Sequence, residues 1–399
     1  MLDNTFNFAP TPEIIFGTGT FSKLPNIIAN YGTNTLIITG GSSLYKAGHF
    51  DELSKGLQEH NISFSTIKVT SEPAPALVDD IASTYREENI SSVVAIGGGS
   101  VMDTGKAVSA MLTQQDSVME YLEEVGAGKE HSGEKIPFIA VPTTSGTGSE
   151  ATKNAVLSEV GPDGFKKSLR HDNFIPNLAL LDPELTTSCP ADITAASGLD
   201  AITQLLGAYT STTASPMTDS LSLKALKYAG QSLVPAATVK GDDPQVRAGM
   251  AYASLISGIT LANAGLGVVH GLASAIGGYF DIPHGVVCGT LLGEATKVNI
   301  MLLRRNQDNQ DHLKKYAKAG AALSRNEINN ISTHKEINRY CNLLIEIIEN
   351  WIAELEIDRL GHYGVTENDL DKIAAKAGIK NNPVQLNQGQ IKTIVKNRL

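Results

Sequence analysis

Cysteine is scarce in this 399-residue chain: Cys189, Cys288 and Cys341 stand far apart, with no Cys-x-x-Cys pair. That excludes a disulfide framework and a cysteine-rich zinc module, and fits a reducing, cytoplasmic setting. Basic residues are also short. With 32 Lys and Arg against 42 Asp and Glu, the formal net charge is −10. Nucleic acids and anionic membrane surfaces both call for a basic face, so neither is expected as a partner. The first residues, Met1 to Phe8, lack the basic and apolar regions of a secretory signal. An uninterrupted hydrophobic span is missing too: the long apolar run over 256–292 is broken by Asn263, His270, Asp281, Pro283, His284 and many glycines, which suits buried helices better than a membrane crossing.

What the chain does contain is a globular composition, 42% hydrophobic and 19% charged, over a length that calls for two domains. Short β-branched runs at 13–17, 35–39, 62–69, 92–96, 136–141 and 178–181 read as strands, with helical spacing between them at 50–59, 76–88 and 101–112. This alternation predicts an α/β half with a mostly parallel, Rossmann-like sheet. Beyond Pro190 the pattern becomes helical, over about 191–212, 217–235, 243–263, 266–279, 284–300, 309–324, 334–354, 366–377 and 387–397, punctuated by Pro216, Pro235, Pro244 and Pro283. The expected division is 1–188 for the α/β domain and 189–399 for an all-helical one. The Asn- and Gln-rich stretch 303–340 (Asn306, Gln307, Asn309 and Gln310, then Asn326, Asn329 and Asn330) reads as solvated surface with too few apolar residues for a core.

Two stretches carry chemistry in the first half. The strand ending at Ile96 runs into Gly97-Gly98-Gly99-Ser100 and a helix. Glycines let a pyrophosphate approach the backbone, and the free N–H groups of the next helix favour the anion. The spacing departs from Gly-x-Gly-x-x-Gly, and a tight turn requiring positive φ is the alternative. Next comes Pro142-Thr143-Thr144-Ser145-Gly146-Thr147-Gly148-Ser149-Glu150, whose hydroxyls at a strand end suit ribose and phosphate oxygens; a plain exposed turn is the alternative.

In the second half, His270 and His284 lie in an almost wholly apolar setting, where each ring nitrogen needs a partner. Asp200 and Gln204, four apart on one helix face, offer a carboxylate and an amide oxygen. Together they make a plausible divalent cation site, with Zn²⁺ or Fe²⁺ suited to the ligand mixture.

These motifs, in this order, resemble the iron-containing (group III) alcohol dehydrogenase family. The resemblance runs from Ile15-Phe16-Gly17-x-Gly19, through Gly97-Gly98-Gly99-Ser100-x-x-Asp103-x-x-Lys106, the Pro142–Glu150 stretch, Asp182-Pro183-Glu184-Leu185, Gly198-Leu199-Asp200-Ala201, Asn263-Ala264-Gly265-x-Gly267-x-x-His270-Gly271 and Pro283-His284-Gly285, to Asn382-Pro383. It implies a Rossmann-like domain, an all-helical domain, and a cleft between them for NAD(P) and one divalent metal, with homodimers or larger homo-oligomers. The family's metal positions fall on Asp200, Gln204, His270 and His284. Gln204 departs from the family's histidine, and Ser274 stands where many relatives carry a histidine near the nicotinamide. Related glycerol dehydrogenases use one Asp and two His, so three ligands can suffice, with Gln204 a weak fourth or an outer hydrogen-bonding partner.

By the same resemblance the function is reversible hydride transfer between a small alcohol or aldehyde and the nicotinamide, with Asp200, His270, Ser274 and His284 catalytic. Gly97, Gly98, Gly99 and Ser100 would hold the pyrophosphate, Asp103 the nicotinamide side, and Thr143, Thr144, Thr147 and Lys166 the adenosine half or ribose. Where many NAD-preferring relatives carry an Asp, this chain has Gly40-Gly41-Ser42-Ser43 with Lys46 nearby. Lifting that repulsion of a 2′-phosphate favours NADP over NAD. Two rivals are a lyase resembling 3-dehydroquinate synthase, which needs more basic residues around the metal, and a nucleotide-binding protein whose metal site has decayed.

Overall fold

The computed structural model describes residues 5–305, 310–325 and 331–399. The first half runs β1 (Glu13–Phe16), α1 (Leu24–Ala29), β2 (Asn34–Thr39), α2 (Ser43–Lys46), α3 (His49–Glu59), β3 (Ser63–Lys68), α4 (Pro75–Tyr85), β4 (Ser92–Gly97), α5 (Gly99–Met111), β5 (Phe138–Pro142), β6 (Asn154–Glu159), β7 (Phe165–Arg170) and β8 (Leu178–Leu181). Helices follow: α6 (Ala191–Thr210), α7 (Pro216–Ala237), α8 (Pro244–Ala264), α9 (Val268–Tyr279), α10 (His284–Arg305), α11 (Gln310–Leu323), α12 (His334–Glu354), α13 (Leu370–Lys376) and α14 (Gln388–Lys396).

Six strands form one sheet in the order β1-β8-β5-β4-β2-β3, and every pair in it is parallel. Side chains alternate between two cores. Ile37, Val94, Ile139 and Leu180 pack on one face, Leu36, Val93, Phe138 and Ala140 on the other. A sheet buried on both faces needs continuous apolar runs, which is why these strands stand out in the sequence. The chain leaves β2 for β3 on one side and returns to β4 on the other, so the direction reverses between β2 and β4.

Several family motifs prove to be scaffolding. Asp182 accepts hydrogen bonds from Phe21 N (2.9 Å) and Glu184 N (3.1 Å), and Gly17 N donates to Leu181 O at 3.0 Å. The Ile15–Gly19 and Asp182–Leu185 motifs therefore clasp each other. Asn382 donates to Asn299 Oδ1 (2.9 Å) and accepts from Asn299 Nδ2 (3.1 Å), binding the final segment to α10.

Three expectations need correction. β6 and β7 form an antiparallel hairpin outside the main sheet; their half-polar pattern, with charged Lys166, Lys167 and Arg170, concealed them. Pro235 does not end α7 but lies within its last turn. The stretch 303–340 is not mere solvated surface: Leu313, Tyr316, Ala317, Ala321, Leu323 and Ile337 are buried in the helical core. Alanine and glycine let α11 pack closely, so a count of large apolar residues underestimates its burial. Of the Asn and Gln residues named above, all but Gln310 lie outside the described residues. His284–Arg305 is one helix long and apolar enough to cross a membrane, yet 72% of its apolar window is buried inside the protein.

Candidate active site

The C-terminal ends of β2, β4 and β5 bring three glycine- or threonine-rich turns side by side. Gly40 N donates to Ile96 O at 3.3 Å, and Thr143 N donates to Gly97 O at 2.8 Å. None of Gly97, Gly98 and Gly99 has positive φ, so conformational freedom does not explain the triplet. Space does. A Cβ on Gly97 would come within 2.6 Å of the Val101 side chain, and one on Gly99 within 2.8 Å of Thr147 Cγ2; on Gly98 it would meet Thr144 at 3.3 Å. Gly98 caps α5 without a side-chain hydrogen bond, which leaves first-turn N–H groups available to a ligand. This edge is the reversal point of a doubly wound sheet, where dinucleotides bind as a rule.

Asp103 and Lys106, one turn apart on α5, face inward instead. Asp103 accepts from Ser149 Oγ and from Val156 N at 3.1 Å. Lys106 Nζ, almost wholly buried, donates to Ser149 O, Thr152 Oγ1 and Asn154 O, each at 2.8 Å, and to Ser149 Oγ at 3.0 Å. Both side chains thus brace the turn after β5 and the start of β6.

A second group gathers where α6, α9 and α10 meet. His270 Nε2 lies 3.1 Å from Asp200 Oδ1, and His284 Nε2 lies 3.8 Å from the same oxygen. The Cys288 thiol, one turn beyond His284, is 3.6 Å from each of those nitrogens. Glycine permits the approach of the helices. A Cβ on Gly285 would sit 2.6 Å from Ala196 O, and one on Gly271 would collide with Gly378 O. Burial by itself would raise the Asp200 carboxyl, but His284 and His270 hold it well below the usual carboxylate range. Burial depresses the His284 imidazole to about 4 against the pull of Asp200. The Cys288 thiol is pushed up, first by burial and then by Asp200.

Gln204 turns its amide nitrogen to Asp200 Oδ2 (3.1 Å) and to Gly146 O (3.5 Å), while its oxygen accepts from Ser257 Oγ at 3.4 Å. Through that nitrogen it orients the Asp200 carboxylate. Ser274 Oγ donates to Lys166 O at 3.1 Å and so ties α9 to the hairpin; that bond occupies its proton. Lys166, expected at the adenosine half or the ribose, lies on β7. Its ammonium is 2.8 Å from Glu72 Oε2, and its charge is felt by His284. The β3–α4 loop and the hairpin are thus linked beside the cluster. Sequence reasoning missed Glu72, which no motif marks, and Cys288, for which the four-residue step from His284 along one helix was a usable signal.

The chain belongs to the iron-containing alcohol dehydrogenase family. The iron-containing alcohol dehydrogenase model matches residues 10–183, and the C-terminal model of the Fe-containing alcohol dehydrogenase family matches 194–399. Among its relatives, the probable alcohol dehydrogenase EutG of Escherichia coli is 32% identical over 92% of this chain and 86% of its own length. Long-chain-alcohol dehydrogenase 1 of Geobacillus thermodenitrificans is 31% identical over 97% and 94% respectively. The solved structure of an alcohol dehydrogenase from Oenococcus oeni superposes with a TM-score of 0.86 at 27% identity, covering 99% of this chain and 100% of that one. The protein is accordingly a metal-dependent alcohol dehydrogenase, an oxidoreductase acting on alcohols. Its family implies NAD(P), a divalent metal and small alcohols or aldehydes as substrates. The residues fit such a metal: an ionised carboxylate and a neutral imidazole are the protonation states that ligands require.

Proposed function

We propose that the chain interconverts a small aldehyde and its alcohol with NADP as hydride carrier, in a cleft between an α/β domain (1–188) and a helical domain (189–399). The observation that carries this reading is that the Asp200, His270 and His284 cluster adjoins the Thr143–Thr147 turn, the Gln204 amide nitrogen reaching both Asp200 and Gly146 O. Asp200, His270 and His284 would hold one divalent ion, Fe²⁺ or Zn²⁺. When bound, that ion supplies Lewis acidity toward the substrate oxygen.

The remaining work falls to the chain itself. Gln204 fixes the Asp200 carboxylate so that Oδ1 faces both imidazoles. Gly97 to Ser100, with Thr143, Thr144 and Thr147, would seat the phosphates and riboses and so align the nicotinamide with the substrate. The Ser274 hydroxyl holds the hairpin against α9, and the Lys166–Glu72 pair ties it to the β3–α4 loop, which would exclude water from one side of the cluster. Gly40 provides no carboxylate to repel a 2′-phosphate. A cytoplasmic homodimer or larger homo-oligomer completes the proposal. A lyase chemistry would need free cations around the metal, whereas Lys166 is already paired with Glu72.

Steady-state oxidation of NADPH and NADH with short-chain aldehydes, before and after chelation, tests the proposal. The expected result is chelator-sensitive activity with NADPH preferred. In Gly40→Asp the preference should move toward NADH; the position tolerates a side chain, since a Cβ there is 3.4 Å from Val101 Cγ2. Activity indifferent to metal removal overturns the metal's role, and a strong NADH preference in the unaltered protein overturns the cofactor assignment.

A further inference from the structure

We infer that Cys288 is a metal ligand, so that the ion in this chain sits in a carboxylate, two imidazoles and a thiolate. The inference rests on the metal-dependent reading above and concerns how this particular sequence meets it. Gln204 has removed one imidazole from the expected set. Its amide nitrogen is the atom turned toward Asp200, and Cys288 stands where a further donor can come from.

The geometry supplies it from α10. Asp200, His270, His284 and Cys288 place one donor atom each within 4.8 Å of all the others. A tetrahedral zinc ion, with bonds of about 2.0–2.1 Å to nitrogen or oxygen and about 2.3 Å to sulfur, sets its donors apart by ~3.4 Å for N···O and ~3.6 Å for N···S. The two N···S separations are both 3.6 Å. The two N···O separations, 3.1 and 3.8 Å, straddle the other value. The sulfur thus stands at equal distance from both imidazoles, on the same side as the Asp200 carboxylate. Cys288 is fully buried and His284 partly open, so the sulfur lies at the closed back of the site and the open side is left for a substrate oxygen as a fifth donor.

Binding displaces the thiol proton to solvent: Cys–SH and M²⁺ give Cys–S–M⁺ and H⁺, with no change of oxidation state. Carboxylate and thiolate together then neutralise the ion, and the soft sulfur favours Zn²⁺ over Fe²⁺. This differs from a set of one carboxylate and imidazoles, which leaves a net positive charge.

Cobalt substitution of the full-length protein reads the bond directly. Thiolate bound to Co²⁺ gives an intense near-ultraviolet charge-transfer band; it is expected in the unaltered protein and absent in Cys288→Ser. X-ray absorption of the unaltered zinc form should show one sulfur at about 2.3 Å, a measurement that stands even if the variant fails to fold. Removal of the thiol should weaken metal binding by at least ~10-fold. Metal bound stoichiometrically, with chelator-sensitive activity but no sulfur signature, overturns the cysteine ligand and leaves the dehydrogenase reading intact. A protein that binds no divalent metal overturns both.

Discussion

Glu150 shows how much a single side chain in this fold depends on its burial. It sits at the end of the Thr-rich turn, 2% exposed, and its Oε1 has no hydrogen-bond partner among the described residues. Burial raises its carboxyl from 4.5 to about 7, with Lys106 opposing. The folded chain therefore keeps a proton that the unfolded chain has released, and stability is fully present below the unfolded value and lost as pH rises through about 7. Glu150→Gln should erase that loss. In urea denaturation at a series of pH values, the variant should gain on the unaltered protein as pH rises, by ~1 kcal/mol or more at neutral pH; parallel curves would show that Glu150 is not buried in this way. The residue scale was only partly legible in sequence. His270, His284 and Asp200 stood out because imidazoles and a carboxylate in apolar runs need partners. Cys288 was set aside for lacking a Cys-x-x-Cys pair, although its spacing from His284 put it on the same helix face.

At the scale of the element, α5 carries the argument. Its N-terminus is made available by three glycines whose role is clearance: Gly97 makes room for Val101, while the turn after β5 presses on Gly98 and Gly99 through Thr144 and Thr147. Gly99→Ala should displace that turn, raising KM for the dinucleotide by about 10-fold or more while the far side of the molecule keeps its fold. Trimming the neighbour in Gly99→Ala with Thr147→Ser should restore part of the loss, because the closest clash, 2.8 Å, is with the Thr147 methyl group. Equal KM values for all three proteins would show that the turn is not in the nucleotide seat. Strand and helix positions were readable because the sheet is buried on both faces and the long helices carry regular apolar spacing. The β6–β7 hairpin escaped, since its strands are half polar and its stability comes from docking: Lys376 Nζ donates to Gly164 O at 2.9 Å, and Gly161 N donates to Gly278 O at 3.2 Å.

For the whole molecule, the proposed metal site would double as a clasp, since Asp200, His270, His284 and Cys288 come from three helices, α6, α9 and α10. Metal that binds only the folded form stabilises it by RT ln(1 + [L]/Kd), about 4 kcal/mol at a thousandfold excess over Kd. Chelation should lower Tm in scanning calorimetry, and re-addition of zinc should restore it. A Tm indifferent to metal would mean that the cluster forms no clasp. The two halves also meet through backbone: Gly148, at φ +62°, leaves no room for a Cβ, which would lie 2.4 Å from Gly258 N on α8.

The sequence by itself determined the alternation of strands and helices, the switch to helix after Pro190, the phosphate-favouring glycine turn and the candidate ligands Asp200, His270 and His284. Each of these rests on local periodicity or on the chemical demands of a residue type. Only the tertiary structure decided that Gln204 turns its nitrogen to Asp200, that Lys166 pairs with Glu72 near His284, and that Cys288 stands equidistant from two imidazoles. The first and last depend on how closely α6, α9 and α10 approach, a distance set by glycines whose neighbours lie far away in the chain, and the second on where the hairpin docks.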